Sequence, residues 1–169
     1  MQRLRLGDGA AGCGKLTMMS ILVEELLQLV AEFNDREIEF ALCGGLAVAA
    51  HGFTRATQDI DFLIREESLE RAYEAAAIVG FDIRGLDMSF KERTVEIRRV
   101  SKIVGEDVIS LDLLLVTQHV EDVWEEREWK EVEGEVIPIV SRNGLIKMKR
   151  QAGRSQDLTD IERLENEAG

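Results

Sequence analysis

Two short features on either side of a small-residue segment constrain this chain most. An apolar run at residues 38–43 leads into a glycine pair, Gly44 and Gly45, and after an alanine-rich segment the motif DIDF at 59–62 opens a second apolar run. Strand, glycine turn, helix and strand is the simplest interpretation of this order. Because side chains alternate along a strand, the two aspartates are predicted to share one face while Ile60 and Phe62 enter the core.

The two aspartates predict a metal site. Twice the strand rise places them about 7 Å apart, and two carboxylates on one face repel each other unless a cation lies between them. Oxygen ligands favour Mg²⁺ or Mn²⁺ over zinc. Gly44 and Gly45 let the backbone approach a ligand closely, and a helix expected to begin near Leu46 offers free N–H groups. The stretch therefore predicts a phosphate cradle beside a metal site, as expected for a nucleoside triphosphate.

This order of residues resembles the signature of the DNA polymerase beta-like nucleotidyltransferase superfamily. The shared elements are the apolar run, Gly44 and Gly45, a spacer of 13 residues and the DIDF motif. The resemblance implies a third carboxylate on a later strand, and Asp112 in VISLDLLLV fits. Residues 145–164 resemble the C-terminal part of small bacterial members related to the abortive-infection type II toxin nucleotidyltransferases. The likeness covers roughly residues 37–164.

The resemblance also implies residue roles. Asp59 and Asp61 would hold two Mg²⁺ ions, with Asp112 sharing the catalytic ion and serving as general base for transfer of a nucleoside monophosphate to an acceptor hydroxyl. Three unpaired acids in apolar strands would be expensive to bury, which favours this role over strand-end carboxylates. Lys149 would lie beside the nucleotide. For Arg55, in the loop before the aspartates, ordering of the site and plain solvation both stay open.

Charged residues of the C-terminal segment allow two interpretations. Either the cations concentrate positive potential over the site, or they belong to a solvated helix face. The cations are Lys147, Lys149, Arg150 and Arg154, with Arg98 and Arg99 as further candidates. For Asp157 and Asp160, a structural salt bridge to Arg154 or Lys149 is favoured.

Periodicity predicts helices and strands of an α/β domain. The resemblance implies their arrangement, a mixed β-sheet flanked by helices with C-terminal helices, as in the nucleotidyltransferase fold. The predicted helices cover residues 18–33, 66–80, 142–151 and 156–167. The predicted hairpins cover residues 94–116, with Asp112 on the second arm, and residues 129–141. A single domain is expected over 18–169, behind a flexible extension at residues 1–17.

Composition excludes several classes of protein. The chain has 169 residues, 45% of them hydrophobic, enough for one domain with a full core. A net charge of −12 disfavours broad, nonspecific contact with nucleic acid. Two cysteines make no disulfide framework, and there is neither a signal-peptide layout nor an apolar run of about 18 residues. A reduced, cytoplasmic protein without a membrane partner is expected.

Two other functions stay open. GAAGCGK at residues 9–15 formally matches a phosphate loop, but Leu16 stands where the motif needs Ser or Thr for Mg²⁺. A P-loop hydrolase resting on Lys15 is therefore disfavoured against a flexible extension. A non-catalytic interaction module, one half of a toxin–antitoxin-like pair with a protein partner, would keep the fold without turnover. The acceptor is likewise open among an RNA end, a protein hydroxyl and a small molecule.

Overall fold

The computed structural model describes residues 17–53 and 56–166. The GAAGCGK stretch, the rest of the predicted extension up to Leu16, and Arg55 lie outside these ranges. None of the described helices is long and apolar enough to span a bilayer. In chain order, the described elements are α1 (Met18–Asp35), β1 (Ala41–Cys43), α2 (Gly44–Ala50), β2 (Asp59–Ile64), a 3-10 turn (Glu66–Ser68), α3 (Leu69–Val79), β3 (Ile83–Arg84), β4 (Met88–Phe90), β5 (Val95–Val104), β6 (Asp107–Leu115), α4 (Glu121–Glu125), β7 (Glu128–Val132), β8 (Glu135–Ile139), α5 (Arg142–Ala152) and α6 (Ser155–Asn166).

The strands form one mixed sheet. Its order is β3-β5-β6-β2-β1-β8-β7, with β4 also paired to β5. β2 runs parallel to β6 and antiparallel to β1. β5–β6 and β7–β8 are the two predicted antiparallel hairpins. The predicted α/β class, a mixed sheet flanked by helices with two C-terminal helices, is confirmed.

The hydrophobic core packs against the face of β2 that carries Ile60 and Phe62. Both residues are fully buried. The Phe62 ring stacks on Phe40 at 4.5 Å between centroids and makes an edge contact with Phe33 of α1 at 5.2 Å. A shift of one residue in the pairing of β2 would place aspartates in the core instead of Ile60 and Phe62. The core therefore fixes the register of β2. The predicted alternation along DIDF is confirmed.

Local capping sets several helix ends. The Thr17 hydroxyl accepts the Ser20 N–H at 3.2 Å where α1 begins. The Ser141 hydroxyl accepts the Gly144 N–H at 3.1 Å at the start of α5, and serine is among the residues favoured directly before a helix. Gly80 ends α3 in the left-handed conformation. These ends follow from residues close in sequence, which is why the pattern predicts them well.

The boundaries near the glycine pair differ from the prediction. α2 begins at Gly44, not near Leu46, and β1 is limited to Ala41–Cys43 rather than covering the whole apolar run at residues 38–43. Glu37 has a φ of 53°, and the Ile38 N–H donates to the Phe33 carbonyl at 2.8 Å. This segment therefore closes the end of α1 instead of joining the sheet. The glycine pair itself forms the first turn of α2.

Candidate active site

Three carboxylates meet on the sheet face opposite the phenylalanine cluster. β2 and β6 are parallel neighbours, with Asp61 beside Asp112 and Asp59 beside Ser110. Asp112 is buried, whereas Asp59 and Asp61 keep part of their surface exposed. Parallel pairing thus brings together two acids 51 positions apart in the chain (112 minus 61). The adjacency implied by the resemblance is present.

Asp61 packs directly against the first residue of α2. A Cβ placed on Gly44 would lie 2.1 Å from Oδ2 of Asp61 and 2.6 Å from its Cγ. Gly44 also has a φ of +65°. The close approach and the left-handed backbone both require glycine here. The glycine pair and the DIDF motif are therefore in contact in the folded protein.

Gly44→Ala should lower the free energy of unfolding by more than its backbone conformation alone requires. A side chain in the left-handed region costs about 1–2 kcal/mol, and the new Cβ would also displace the Asp61 carboxylate. Gly105→Ala is the matched control, because Gly105 has a φ of +64° and open space around its Cβ position. Urea denaturation measures both variants, and equal losses would contradict the Gly44–Asp61 contact.

The carboxylate site has an excess of negative charge. The pKa of Asp61 is raised to about 7, and the pKa of Asp59 is also raised. For both residues burial is the largest cause and the charge of Asp112 the second. The cations Lys149 and Arg154 oppose the rise at Asp61 without cancelling it. A further cation at this site would therefore be bound favourably.

Arg99 supplies a positive charge in contact with Asp112 and close to Asp59. Its Nε and Nη2 donate to the two carboxylate oxygens of Asp112 at 2.7 and 2.8 Å, and Nη2 lies 3.7 Å from Oδ2 of Asp59. Hydrogen bonding to Asp112 raises the pKa of the Arg99 guanidinium. Arg98, one position earlier on β5, lies on the other face of the sheet and pairs with Asp87 at 3.4 Å. Strand alternation thus separates two arginines that the sequence pattern grouped together.

A buried ion network lies beside the carboxylates. The Lys149 ammonium is 2.9 Å from Oδ2 of Asp160 and 3.7 Å from Oδ1 of Asp157. Arg154 Nε donates to Asp157 at 3.0 Å. The structural salt bridges favoured for the two aspartates are confirmed. Since Lys149 and Arg154 both act on the pKa of Asp61, this network contributes positive potential to the site.

The remaining predicted residues differ in their surroundings. Lys147 and Arg150 form ion pairs with surface acids, as the solvated-face interpretation expects. Gly45 is buried in the first turn of α2. Arg55 lies outside the described residues, so ordering of the site and plain solvation both stay open for it. Of the predicted set, the structure thus brings together the three aspartates, Gly44 and, at the edge, Lys149.

The donor chemistry fits Mg²⁺ or Mn²⁺, because all three acids are oxygen donors on one face. In the observed side-chain arrangement, residues 17–53 and 56–166 contain no group of three His, Cys, Asp or Glu positioned to hold an ion. The Arg99 guanidinium lies between Asp112 and Asp59 and bonds both Asp112 oxygens. The three acids therefore match a divalent cation in the type of their donor atoms, while in the observed arrangement both Asp112 oxygens are bonded to Arg99.

The sheet topology and the three carboxylates on one face agree with the resemblance to the DNA polymerase beta-like nucleotidyltransferase superfamily. Residues 25–166 match the profile of the aminoglycoside-2''-adenylyltransferase family. This match covers most of the chain, and the protein belongs to that family. A comparison with curated proteins finds no match.

Solved structures share the fold at low sequence identity. ANT(2'')-Ia in complex with adenylyl-2''-tobramycin has 15% identity and a TM-score of 0.62, over 88% of this chain and 90% of that one. LnuA, a lincosamide antibiotic adenylyltransferase bound to lincomycin, has 16% identity and a TM-score of 0.56, over 83% and 94%. A Thermotoga maritima protein assigned as a nucleotidyltransferase has 16% identity and a TM-score of 0.59, over 87% and 94%. Likeness at this level shows the fold alone.

Proposed function

We propose that this protein is a Mg²⁺- or Mn²⁺-dependent nucleotidyltransferase that moves AMP from ATP to a hydroxyl of a small molecule and releases pyrophosphate. The observation that carries the proposal is the register of Asp61 with Asp112 on parallel strands, with Asp59 on the same face. Their excess negative charge needs a cation, and a triphosphate needs one too. The family description supports adenylyl transfer as the reaction.

A cationic small molecule is the acceptor class that we favour. The two named neighbours hold an adenylylated aminoglycoside and a lincosamide, both antibiotics. The chain carries a net charge of −12, which attracts cations and repels RNA. An aminoglycoside combines several hydroxyls with positive charge. It therefore suits this protein better than an RNA end or a protein hydroxyl.

Each acid has a proposed role. Asp59 and Asp61 would hold the metal ions, and Asp112 would be a further ligand of the one nearest the acceptor. When bound, these cations neutralise the triphosphate and acidify the acceptor hydroxyl. Asp112 accepts the proton of that hydroxyl as general base. The acceptor oxygen then bonds to the α-phosphorus, the bond from that phosphorus to the β-phosphate oxygen breaks, and pyrophosphate leaves with the electron pair.

The phosphate contacts are assigned to the start of α2. Gly44 contacts Asp61 and Gly45 follows it in the first turn of α2, so both would offer backbone N–H groups to the phosphates, and a Cβ at Gly44 would clash with Asp61. α2 has only seven residues, so individual N–H groups rather than a large macrodipole would bind the phosphates. Lys149 would add its charge from within the buried network, since its ammonium is already bonded to Asp160. Arg55 is kept as a candidate phosphate contact.

Product analysis tests this proposal. The protein is incubated with Mg²⁺, either tobramycin or lincomycin, and ATP labelled at the α-phosphate or, in a parallel reaction, at the γ-phosphate. Chromatography follows the α-label into the antibiotic and the γ-label into pyrophosphate. Parallel reactions contain total RNA or cell-extract protein as acceptor, and others contain EDTA. We expect Mg²⁺-dependent labelling of the aminoglycoside. Failure to label any acceptor with any common nucleoside triphosphate would contradict the proposal.

The two alternatives from the sequence have less support. The P-loop hydrolase rests on Lys15, and the family match begins later, at residue 25. A non-catalytic partner in a toxin–antitoxin-like pair has no need for three acids on one sheet face, two of them in register. The nucleotidyltransferase proposal explains both the register and the glycine contact.

A further inference from the structure

We propose that Arg99 competes with the metal ion for Asp112. When metal and nucleotide bind together, the Arg99 side chain moves away from Asp112 and its guanidinium binds the nucleotide phosphates. The inference rests on the proposed function. It assigns a nucleotide-binding role to Arg99, in addition to the roles proposed for the three aspartates. Its basis is the bidentate pair between Arg99 and Asp112, extended to Asp59.

The first step is the competition. Both carboxylate oxygens of Asp112 accept an N–H of Arg99, at 2.7 and 2.8 Å. A metal ion bound by Asp112 must take at least one of these oxygens. Two positive charges at one oxygen repel each other strongly, above all where the carboxylate is buried. The guanidinium must therefore withdraw before Asp112 can become a metal ligand.

The second step is the freedom of Arg99 to withdraw. Its backbone is held by the sheet, since β5 pairs with β6 and the Arg99 carbonyl accepts the Gly85 N–H at 2.9 Å. Its side chain is 37% exposed, whereas that of Asp112 is 8% exposed. The guanidinium can thus turn toward solvent while its Cα and Asp112 stay in place.

The third step is the new partner. A guanidinium binds phosphate in the same two-point geometry that it uses for a carboxylate. An arginine released from Asp112 remains at the rim of the site, where the triphosphate would lie. Metal alone gives Arg99 no new partner, whereas metal with nucleotide does. The exchange therefore makes tight metal binding depend on the nucleotide.

Mn²⁺ titration in the absence of nucleotide tests the competition. Binding is followed by electron paramagnetic resonance for the full chain at about pH 8. We expect Arg99→Gln to bind Mn²⁺ about tenfold more tightly than the native protein, which equals about 1.4 kcal/mol. Arg98→Gln is the matched control and should bind like the native protein, because Arg98 pairs with Asp87 and Glu96 on the other face.

Folding of the variants is controlled separately. Arg99→Gln leaves Asp112 without its guanidinium, and the apo variant is expected to melt at a lower temperature that Mn²⁺ restores. Arg99→Lys keeps a positive charge but cannot form the two-point pair, so it should fold well and show an intermediate Mn²⁺ affinity. If neither Arg99 variant binds Mn²⁺ more tightly than the native protein, the inference is overturned. If the native protein nevertheless binds Mn²⁺ together with ATP, the proposed function stands, and if the native protein binds neither, both fall.

Discussion

Asp61→Asn should reduce nucleotidyl transfer at least about 10³-fold, the scale expected when an electrostatic or metal-binding group is lost from a reacting centre. Asp61 is the acid that lies beside Asp112 and against Gly44. An amide keeps the shape of the side chain but lacks the charge that would bind the cation. Measured rates of AMP transfer at saturating ATP test this effect, and near-native rates would contradict the assigned role.

The same substitution should stabilise the nucleotide-free protein at about pH 8. The pKa of Asp61 is raised from 3.8 to about 7 in the folded state, mainly by burial and then by Asp112 and Asp59. The native protein therefore holds this proton more tightly than the unfolded chain, and the free energy of unfolding falls as pH rises between these two values. A shift of this size corresponds to about 4 kcal/mol.

The expected gain is smaller than that figure, because Asp61 keeps part of its surface exposed and water screens the charge. We therefore expect the free energy of unfolding to rise by about 2 kcal/mol, roughly half of the unscreened figure. Asparagine has no proton to lose, so the variant should lack this part of the pH dependence. Urea denaturation of both proteins at about pH 5 and about pH 8 measures the difference, which should be larger at the higher pH.

Asp112→Asn distinguishes the effect of a carboxylate on stability from its effect on activity. It should also abolish transfer, but it should lower the stability, because Arg99 loses the carboxylate that accepts both of its N–H groups. Two acids in register on parallel strands are thus expected to give the same loss of activity with opposite effects on stability. If Asp61→Asn is destabilised as much as Asp112→Asn, the repulsion assigned to Asp61 is wrong.

Short-range pattern predicted much of the fold. Alternation in DIDF places Ile60 and Phe62 in the core, and the Ser141 cap starts α5, because each depends on a few neighbouring residues. The hairpin that carries Asp112 likewise follows from its sequence. The sheet neighbour of that hairpin does not, since pairing of β2 with β6 depends on contacts between distant segments. For this adjacency the family resemblance was needed.

The charges of the site were harder to predict. Arg98 and Arg99 are chemically identical neighbours, and only the register of β5 against β6 decides which one meets Asp112. The first residues of the apolar run at 38–43 belong to the end of α1 and not to β1. Glu37 adopts a left-handed conformation there, which no local rule requires of glutamate. The burial of Lys149 depends on how α6 packs against α5, which a helical pattern alone does not fix.

Lys149→Met should lower the free energy of unfolding by about 3 kcal/mol, the low end of what breaking a buried ion pair costs. Lys149 is 7% exposed, and its partners Asp157 and Asp160 are each 2% exposed. Without the ammonium, Asp160 loses its 2.9 Å ion pair, while Asp157 keeps its pair with Arg154. The methionine keeps most of the packing of the lysine stem, so the loss reports on charge.

Matched variants separate this structural role from direct phosphate contact. Lys147→Met removes a cation from the same helix, but its pair with Asp122 is exposed on both sides and should leave the melting temperature almost unchanged. Adding Asp160→Asn to Lys149→Met should recover part of the lost stability, because the double variant buries one charge fewer.

If Lys149 instead contacts the triphosphate, Lys149→Met should fold with native stability and show a KM for ATP raised about tenfold, or about 1.4 kcal/mol. Thermal melts and ATP kinetics on these variants decide between an ammonium held by two aspartates and one that is free to bind phosphate.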